Sequence, residues 1–498
     1  MQTVHNADNQ VSGYRSIFKA TSLFGGVQVY QILIQIVKSK ILALLLGPTG
    51  IGIQGLFQSA LDLVKQGTSM GVAQSAVRDV AEAYGSGDKN RINRTVSILR
   101  KIVWGTGGLG LVLMISFSPL FSNSSFGNSL YITSFCILAI IPLLDQISAG
   151  QKVILQGTHR IKELAKASAI GATLGLFFSV PFYYFYREKG IVPALIVFSI
   201  VSLIVSAYYS NKYKIQSVPV TLDGIKSIGR SILGMGLAMS TSGFLSMGVA
   251  YVLRSYVSKY GGILEVGLYQ AGLLIVNTYV GMVFNAISTD YYPRLAAINR
   301  DNNRCKEVIN QQGEISVLIL APLLALCIIA MPIGIKLLYT NEFLPADNFI
   351  KWSCLGMMFR LSSWLLSYLF IAKGNAKLFI TCEVLGNLIS LLLGIIGYQL
   401  AGLTGLGLSF CIGYILYSLI VFVFAKKNYA FSFSSKFLIE FIVEFVLLLL
   451  TLLSILYLGE GLNYIISSIC GAIIIAYSAW KLNKALNIKG VVDKLRKR

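Results

Sequence analysis

Apolar runs of about twenty residues, separated by short polar or basic connections, recur through almost the whole of this 498-residue chain. Fourteen such runs stand out, at residues 17–46, 52–76, 98–121, 129–149, 166–186, 191–210, 228–257, 265–289, 314–338, 350–372, 377–398, 402–424, 437–458 and 461–480. About 20 apolar residues rising 1.5 Å each cross the hydrocarbon of a bilayer as a helix. Backbone groups find no partner in lipid, so a spanning segment is a helix or part of a closed barrel. Barrel strands would be half as long and alternate in polarity, so run length selects helices. The pattern predicts an all-α polytopic membrane protein of about 14 transmembrane helices. The first and seventh runs are long enough to tilt or protrude.

Composition agrees with this reading. Hydrophobic residues make up 55% of the chain and charged residues 13%, with a mean hydropathy of +0.70, against roughly 25% charged in soluble proteins. A net charge of +21 would suit a nucleic-acid binder if the cations sat on one domain. They are instead dispersed among short loops, where they set orientation. With the amino terminus inside, the inner segments hold Arg15, six cations in 78–101, four each in 152–166, 212–230 and 294–306, Lys373, Lys377, three in 426–436 and seven from Lys481 onward. That is 31 of the 42 Lys and Arg. Lys38, Lys40, Arg187, Lys189, Arg254, Lys259, Lys336 and Lys351 fall in outer loops or at outer helix ends, and Lys19, Lys65 and Arg360 within spans. Both termini are expected in the cytoplasm, with no nucleic-acid role.

The first sixteen residues are polar and no small-residue cleavage site follows a short apolar core, so helix 1 is expected to be an uncleaved anchor. The seven cysteines show no C-x-x-C spacing and read as small packing residues. Only His5 and His159 are present, without ligand spacing, so no metal, cofactor or nucleophilic enzyme site is expected.

The chain resembles itself at an offset of 211 to 217 residues. Ser16-Ile17-Phe18-Lys19 matches Ser227-Ile228-Gly229-Arg230, and Gly55-Leu56-Phe57-Gln58 matches Gly267-Leu268-Tyr269-Gln270. Asp88-Lys89-Asn90-Arg91 matches Asp301-Asn302-Asn303-Arg304, and Gly157 corresponds to Gly374. An even number of spans per repeat leaves both halves in the same orientation, and transporters built from repeats place substrate near the midplane between them. The expected organisation is a cytoplasmic tail (1–16), an N-lobe (17–210), a linker (211–227), a C-lobe (228–424), two further spans (425–480) and a basic tail (481–498).

Charges at membrane depth cost roughly 2.5 to 3.5 kcal/mol each on insertion scales, so they face a wet cavity or a partner. The candidate substrate-binding cations are Lys19, Lys38, Lys40, Lys65, Arg254 and Arg360. Lys19, Lys38 and Lys40 can alternatively snorkel to an interface. The repeat sets Lys40 against Arg254, so each half is expected to offer one cation to a shared cavity. Asp62 and Lys65, at i,i+3, share a helix face and can pair. Asp62 and Asp145 are the candidate ion-coupling carboxylates. Glu440 and Glu444 are read as anchors at the inner interface. An excess of cations in a hydrated cleft suits an anionic ligand such as a diphosphate, because Arg offers a fork and Lys a point charge.

Gly105, Gly107 and Gly110 fit G-x-G-x-x-G, but no strand precedes them, so helix packing is the reading. Gly171 and Gly175 form a G-x-x-x-G of the same kind.

The stretch from Ser39-Lys40-Ile41 through Leu46-Gly47-Pro48-Thr49-Gly50-Ile51-Gly52, with Gly71-Val72-Ala73 and Ala81-Glu82-Ala83, resembles Wzx-type polysaccharide flippases of the MATE-like exporter superfamily. The likeness covers most of the first twelve spans. Fourteen spans depart from the usual twelve and look more like the lipid II flippase branch. The resemblance implies two six-helix lobes forming a V around a cationic cavity. It also implies transfer of undecaprenyl-diphosphate-linked oligosaccharide, an O-antigen or related repeat unit, to the periplasmic leaflet of the bacterial inner membrane. Lys40 occupies the family's basic position before the Gly-Pro. Membrane lipids, a polysaccharide polymerase and a chain-length regulator are the implied partners. Alternatives are a multidrug exporter of the same superfamily, a membrane glycosyltransferase or polymerase acting on the same lipid, and a non-transporting scaffold. A net basic cavity argues against the exporter, and loops of at most about 16 residues leave no room for a catalytic periplasmic segment.

Overall fold

A computed structural model describes residues 26–213 and 240–484, apart from Gln74, Ala286, Thr289 and Glu460, together with Ile215, Gln216, Val218 and Pro219. Lys19, most of the 211–227 linker and the end of the basic tail lie outside the described residues. Two compact units divide the chain, Met1–Ile263 and Leu264–Arg498. The first contains α1 (Gln2–Ser69), α2 (Val72–Gly85), α3 (Lys89–Ser116), α4 (Ser118–Phe126), α5 (Ile132–Leu138), α6 (Ile140–Gly157), α7 (Ile161–Tyr186), α8 (Ile191–Asn211) and the first limb of α9 (Leu222–Leu274). The second contains the rest of α9, a π-helical turn (Ile275–Val280), α10 (Met282–Ala297), α11 (Asn302–Leu338), α12 (Asp347–Ala372), α13 (Ala376–Tyr429), α14 (Ser435–Tyr457) and α15 (Leu462–Leu486).

Among the described residues, ten helical stretches are long and apolar enough to cross a membrane. The fourteen runs of the sequence fall into ten because four stretches, Gly26–Ser69, Ile161–Asn211, Ser240–Asn285 and Ala376–Tyr429, are 44, 51, 46 and 54 residues long. Each is at least twice the roughly 20 residues of one crossing, and each is broken near its middle. In α13 the break is Ala401–Gly402. There Ser409 Oγ donates to the Leu393 carbonyl at 2.6 Å, although a straight helix would hold residues sixteen apart at about 24 Å. The chain therefore folds back on itself. A Cβ added to Gly405 would lie 1.8 Å from the Gly397 carbonyl oxygen, so the two limbs touch backbone to backbone. Ser179 Oγ likewise reaches the Ala194 carbonyl at 3.0 Å across the α7–α8 turn. In α1, Tyr30 meets Thr173 at 2.7 Å and Leu45 accepts from Arg187 at 2.8 Å, so the first limb runs alongside α7. Beyond Gly47, Phe57 packs on Phe135 and Lys65 reaches Asp145 of α6.

These breaks carry the duplication more sharply than the side chains do. Gly47 (φ 63°, ψ −170°) and Gly262 (φ 84°, ψ 171°) are 215 residues apart. Arg187 (φ 52°, ψ −128°) and Gly402 (φ 54°, ψ −135°) are separated by the same interval. So are His159 (φ 55°) and Gly374 (φ 70°), which corrects the pairing of Gly374 with Gly157 by two residues. A left-handed residue is needed at each turn, and glycine adopts it without steric cost. Asp88 and Asp301 cap α3 and α11 in the same manner, each accepting from the backbone N–H two residues on.

Within the first unit, Val72, Ala76, Val80 and Ala83 form one face of α2 and pack on α3 and α6. Left-handed Met70 and Gly71 end α1 before it, cutting the second apolar run short. Gly107 and Gly110 let α3 approach Leu143 and Pro142 of α6, and Gly175 makes room for Phe198. Both glycine motifs thus serve packing, while Gly105 meets nothing within 4 Å. The first limb of α9 joins this unit: Ser258 Oγ donates to the Ser125 carbonyl at 2.6 Å, and Tyr251 bonds Ser125 at 3.1 Å.

In the second unit, α14 and α15 pack together and on α11. Glu440 and Glu444 are 1% and 0% exposed, so they are covered by protein and do not reach outward as surface anchors. They face α15 instead, where Glu440 pairs with Lys481 at 3.3 Å and Glu444 accepts from Ser478 at 2.6 Å. Lys481→Ala is expected to lower stability by about 2 kcal/mol, because it leaves a buried carboxylate unpaired. Thermal unfolding in detergent would read this as a fall in Tm, and an unchanged Tm would show the pair to be dispensable.

Candidate substrate-binding site

The charged candidates separate into groups with different surroundings. Lys38 and Lys40 lie two residues apart on the first limb of α1, roughly 200° around the helix, so they cannot share one face. Lys38 places its Nζ 4.9 Å from the Phe198 ring centre on α8, which gives its charge a cation–π partner. Lys40 is half-buried. Arg254 is also half-buried and donates to the Ala250 carbonyl of its own helix at 3.2 Å. Arg254 belongs to the first unit, as Lys40 does. The expectation that the two cations come from separate halves therefore changes: the limb carrying Arg254 is tied to α4 through Tyr251 and Ser258.

Lys65 sits between two carboxylates. Its Nζ lies 3.0 Å from Asp62 and 3.1 Å from Asp145, and Gln58 Nε2 donates to Asp62 at 2.8 Å. The i,i+3 spacing supplies the first pair, and the packing of α1 on α6 supplies the second. The group as a whole carries one negative charge, so Lys65 is a neutralised cation and not an open one. Asp62 and Asp145, 38% and 32% exposed, keep access to water.

Arg360 differs from all of these. It lies near the middle of α12, in the second unit, and donates through Nη1 to Asn277 Oδ1 at 2.6 Å. Its guanidinium carbon stands 5.7 Å from the Phe284 ring centre and 5.6 Å from that of Tyr414. Two aromatic faces and one amide thus hold the planar group in place. Among the described residues no carboxylate forms an ion pair with it, so the charge is uncompensated and most of its five N–H donors stay free. Such a fork suits two oxygens of a phosphate.

Asn277 owes its position to the π-helical turn. The Gly281 N–H reaches back five residues to the Val276 carbonyl at 3.2 Å. A Cβ on Gly281 would fall 2.0 Å from the Asn277 carbonyl oxygen, which restricts the position to glycine. Insertions of this kind gather at functional sites. Reading the charges alone passes over Asn277, Phe284 and Tyr414; a polar amide within an apolar run is the signal that points to the first. Among the described residues no group of three or more metal-ligating side chains comes together.

Residues 41–348, more than half of the chain, match the family of polysaccharide biosynthesis proteins. The chain belongs to that family. The matched range takes in the Lys65 group, Asn277 and Phe284, and ends twelve residues before Arg360. Within curated relatives of this family member, lipid III flippase of Escherichia coli (strain K12) is 22% identical over 357 residues, covering 69% of this chain and 82% of that protein. Lipid III flippase of Shigella flexneri matches to the same extent. Among solved structures, the inward-facing conformation of a multidrug resistance MATE family transporter of the MOP superfamily superposes with a TM-score of 0.69. Its identity is 16%, over 80% of this chain and 94% of that one. Lipid II flippase MurJ in an inward closed conformation gives 0.68 at 14% identity, over 94% and 99%. The fold is that of these two transporters, and this family member is a multi-pass membrane protein.

Proposed function

We propose that this chain is a flippase that carries a lipid-linked oligosaccharide across the bacterial inner membrane, both termini being cytoplasmic. The observation that carries the reading is Arg360: a clamped, carboxylate-free guanidinium at membrane depth in a member of a polysaccharide biosynthesis family. A permanent cation there costs about 3 kcal/mol unless water or an anion reaches it, and a diphosphate-linked saccharide supplies the anion. The names of the lipid III and lipid II flippases support the same substrate class. No covalent chemistry is needed: the protein shields the polar head while the polyprenyl tail stays in lipid, and alternating access moves the head. A polymerase and a chain-length regulator are the partners such a product would meet.

The test is reconstitution in vesicles with lipid-linked oligosaccharide, scoring exposure of the sugar to an impermeant modifying enzyme. Protein-dependent exposure supports the reading, and its absence alongside protein-driven uptake of organic cations would favour the multidrug exporter. A diphosphate with two charges crossing the whole field gains about 4.6 kcal/mol at 100 mV, at 2.3 per charge. An imposed inside-negative potential is therefore expected to accelerate outward flipping, and a rate indifferent to potential would mean that cations travel outward with the head and balance its two charges, with Asp62 and Asp145 as the candidate carriers.

A further inference from the structure

α12 is the most enclosed of the ten apolar stretches, with 72% of its most apolar window buried. Between Ser353 and Phe370 only Phe359, Arg360, Trp364 and Tyr368 are not buried. Phe359 is covered by Phe441 and Phe445 of α14, at 5.3 and 5.0 Å between ring centres. The remaining three stand at i, i+4 and i+8. They form one continuous, partly exposed face, about 12 Å along the helix axis, flanked by Phe284 and Tyr291 of α10.

The rings on this face are braced from behind. Tyr291 is fully buried, bonds the Leu365 carbonyl at 2.8 Å and stacks on Trp364 at 5.9 Å with 29° between planes. Trp364 meets Tyr368 edge-on at 4.8 Å, and Tyr292, 38% exposed, continues the row at 5.6 Å from Tyr368. Aromatic stripes on spanning helices often face lipid at the interfaces. This one shares its face with Arg360, and a lipid-facing stripe would hold that guanidinium in hydrocarbon. The face is therefore wet, and a wet aromatic surface beside a phosphate-binding cation needs a polar ligand with an apolar side.

We propose that Trp364, Tyr368 and Tyr292 form a platform on which the sugar rings of the substrate stack while its diphosphate rests on Arg360. Pyranose rings present C–H groups on one face and hydroxyls around the rim. The C–H face meets the negative face of an aromatic ring, and the tyrosine hydroxyls donate to or accept from the rim. The stripe extends from Arg360 along α12 in the direction of its carboxyl end, so the sugar proximal to the diphosphate stacks on Trp364 and more distal ones on Tyr368 and Tyr292. The inference rests on the flippase reading and deepens it by assigning the saccharide its own contact surface.

Binding to the full chain in nanodiscs, with two probes, separates the two claims. One probe is lipid-linked oligosaccharide extracted from the native host, and the other is undecaprenyl diphosphate without sugar. Trp364→Ala is expected to weaken the first by about tenfold and the second by less than about twofold, with Trp364→Phe retaining most of the affinity. Tyr292→Ala, at an exposed ring, removes part of the platform without opening the core and is expected to weaken the first probe alone by about threefold. Arg360→Ala weakens both probes, which is the separate mark of the phosphate reading. Equal affinity of the wild-type chain for the two lipids, or no selective loss in Tyr292→Ala, would overturn the platform while leaving the phosphate site standing.

Discussion

Arg360→Ala is expected to reduce flipping of lipid-linked oligosaccharide by about 100-fold, equivalent to about 2.7 kcal/mol, while the protein stays folded. The loss is large because the guanidinium is already oriented by Asn277, Phe284 and Tyr414, so the substrate's phosphates meet donors that need no ordering. Alanine removes the charge and the fork together. Arg360→Lys restores the charge without the fork or the stacking plane, and recovery to within about tenfold of wild type is expected. Stability should change little, because the side chain is partly exposed and pairs with no carboxylate among the described residues. Flipping rates in vesicles, set beside thermal unfolding of the same preparations, check both parts. A folded Arg360→Ala protein that flips at the wild-type rate rejects the assignment.

Lys65→Ala acts through charge at the other site. Removing the ammonium leaves Asp62 and Asp145 facing one another with two negative charges in place of one. Losing one partner of a buried pair costs 3–5 kcal/mol. Both carboxylates here are about a third exposed, so screening takes the expected loss below that range, to about 2 kcal/mol. Folded yield and Tm should fall, and flipping with them. Adding Asp145→Asn returns the group to a single negative charge and should recover most of the yield. If the double variant is as unstable as the single one, packing of the lysine stem and not charge balance explains the loss. If Lys65→Ala is indistinguishable from wild type, the group has no structural role.

The two variants test different sides of what could be read early. The i,i+3 pairing of Asp62 with Lys65 follows from helix geometry and needs no coordinates. Its third member, Asp145, is 80 residues away, and this second carboxylate beside Lys65 has no signal in the sequence around the lysine. Arg360 was legible as a costly mid-span charge, but its partner Asn277, 83 residues away, was not. Glu440 and Glu444 are legible as a helix-face pair, but nothing in α14 alone reveals that α15 covers them. Gly47, Gly262 and Gly402 were visible only as residues. Their left-handed backbone shows that they mark repeated turns, and His159 and Arg187 in the same role carry no signal in their identity.

By itself the amino-acid sequence determined the solvent, the helical class, the approximate positions of the crossings and the existence of a duplication. These follow from run length, loop charge and local self-similarity, which are properties of the chain in one dimension. Only the tertiary structure decided which cations meet carboxylates: Lys65 lies between Asp62 and Asp145, and Lys481 on the buried Glu440. It also decided that Arg360 is left open above a row of aromatic rings. The reason is that helix rotation and crossing bring together residues 80 or more positions apart, and the cost of an unpaired charge in the membrane is set by those neighbours and not by the segment that carries it.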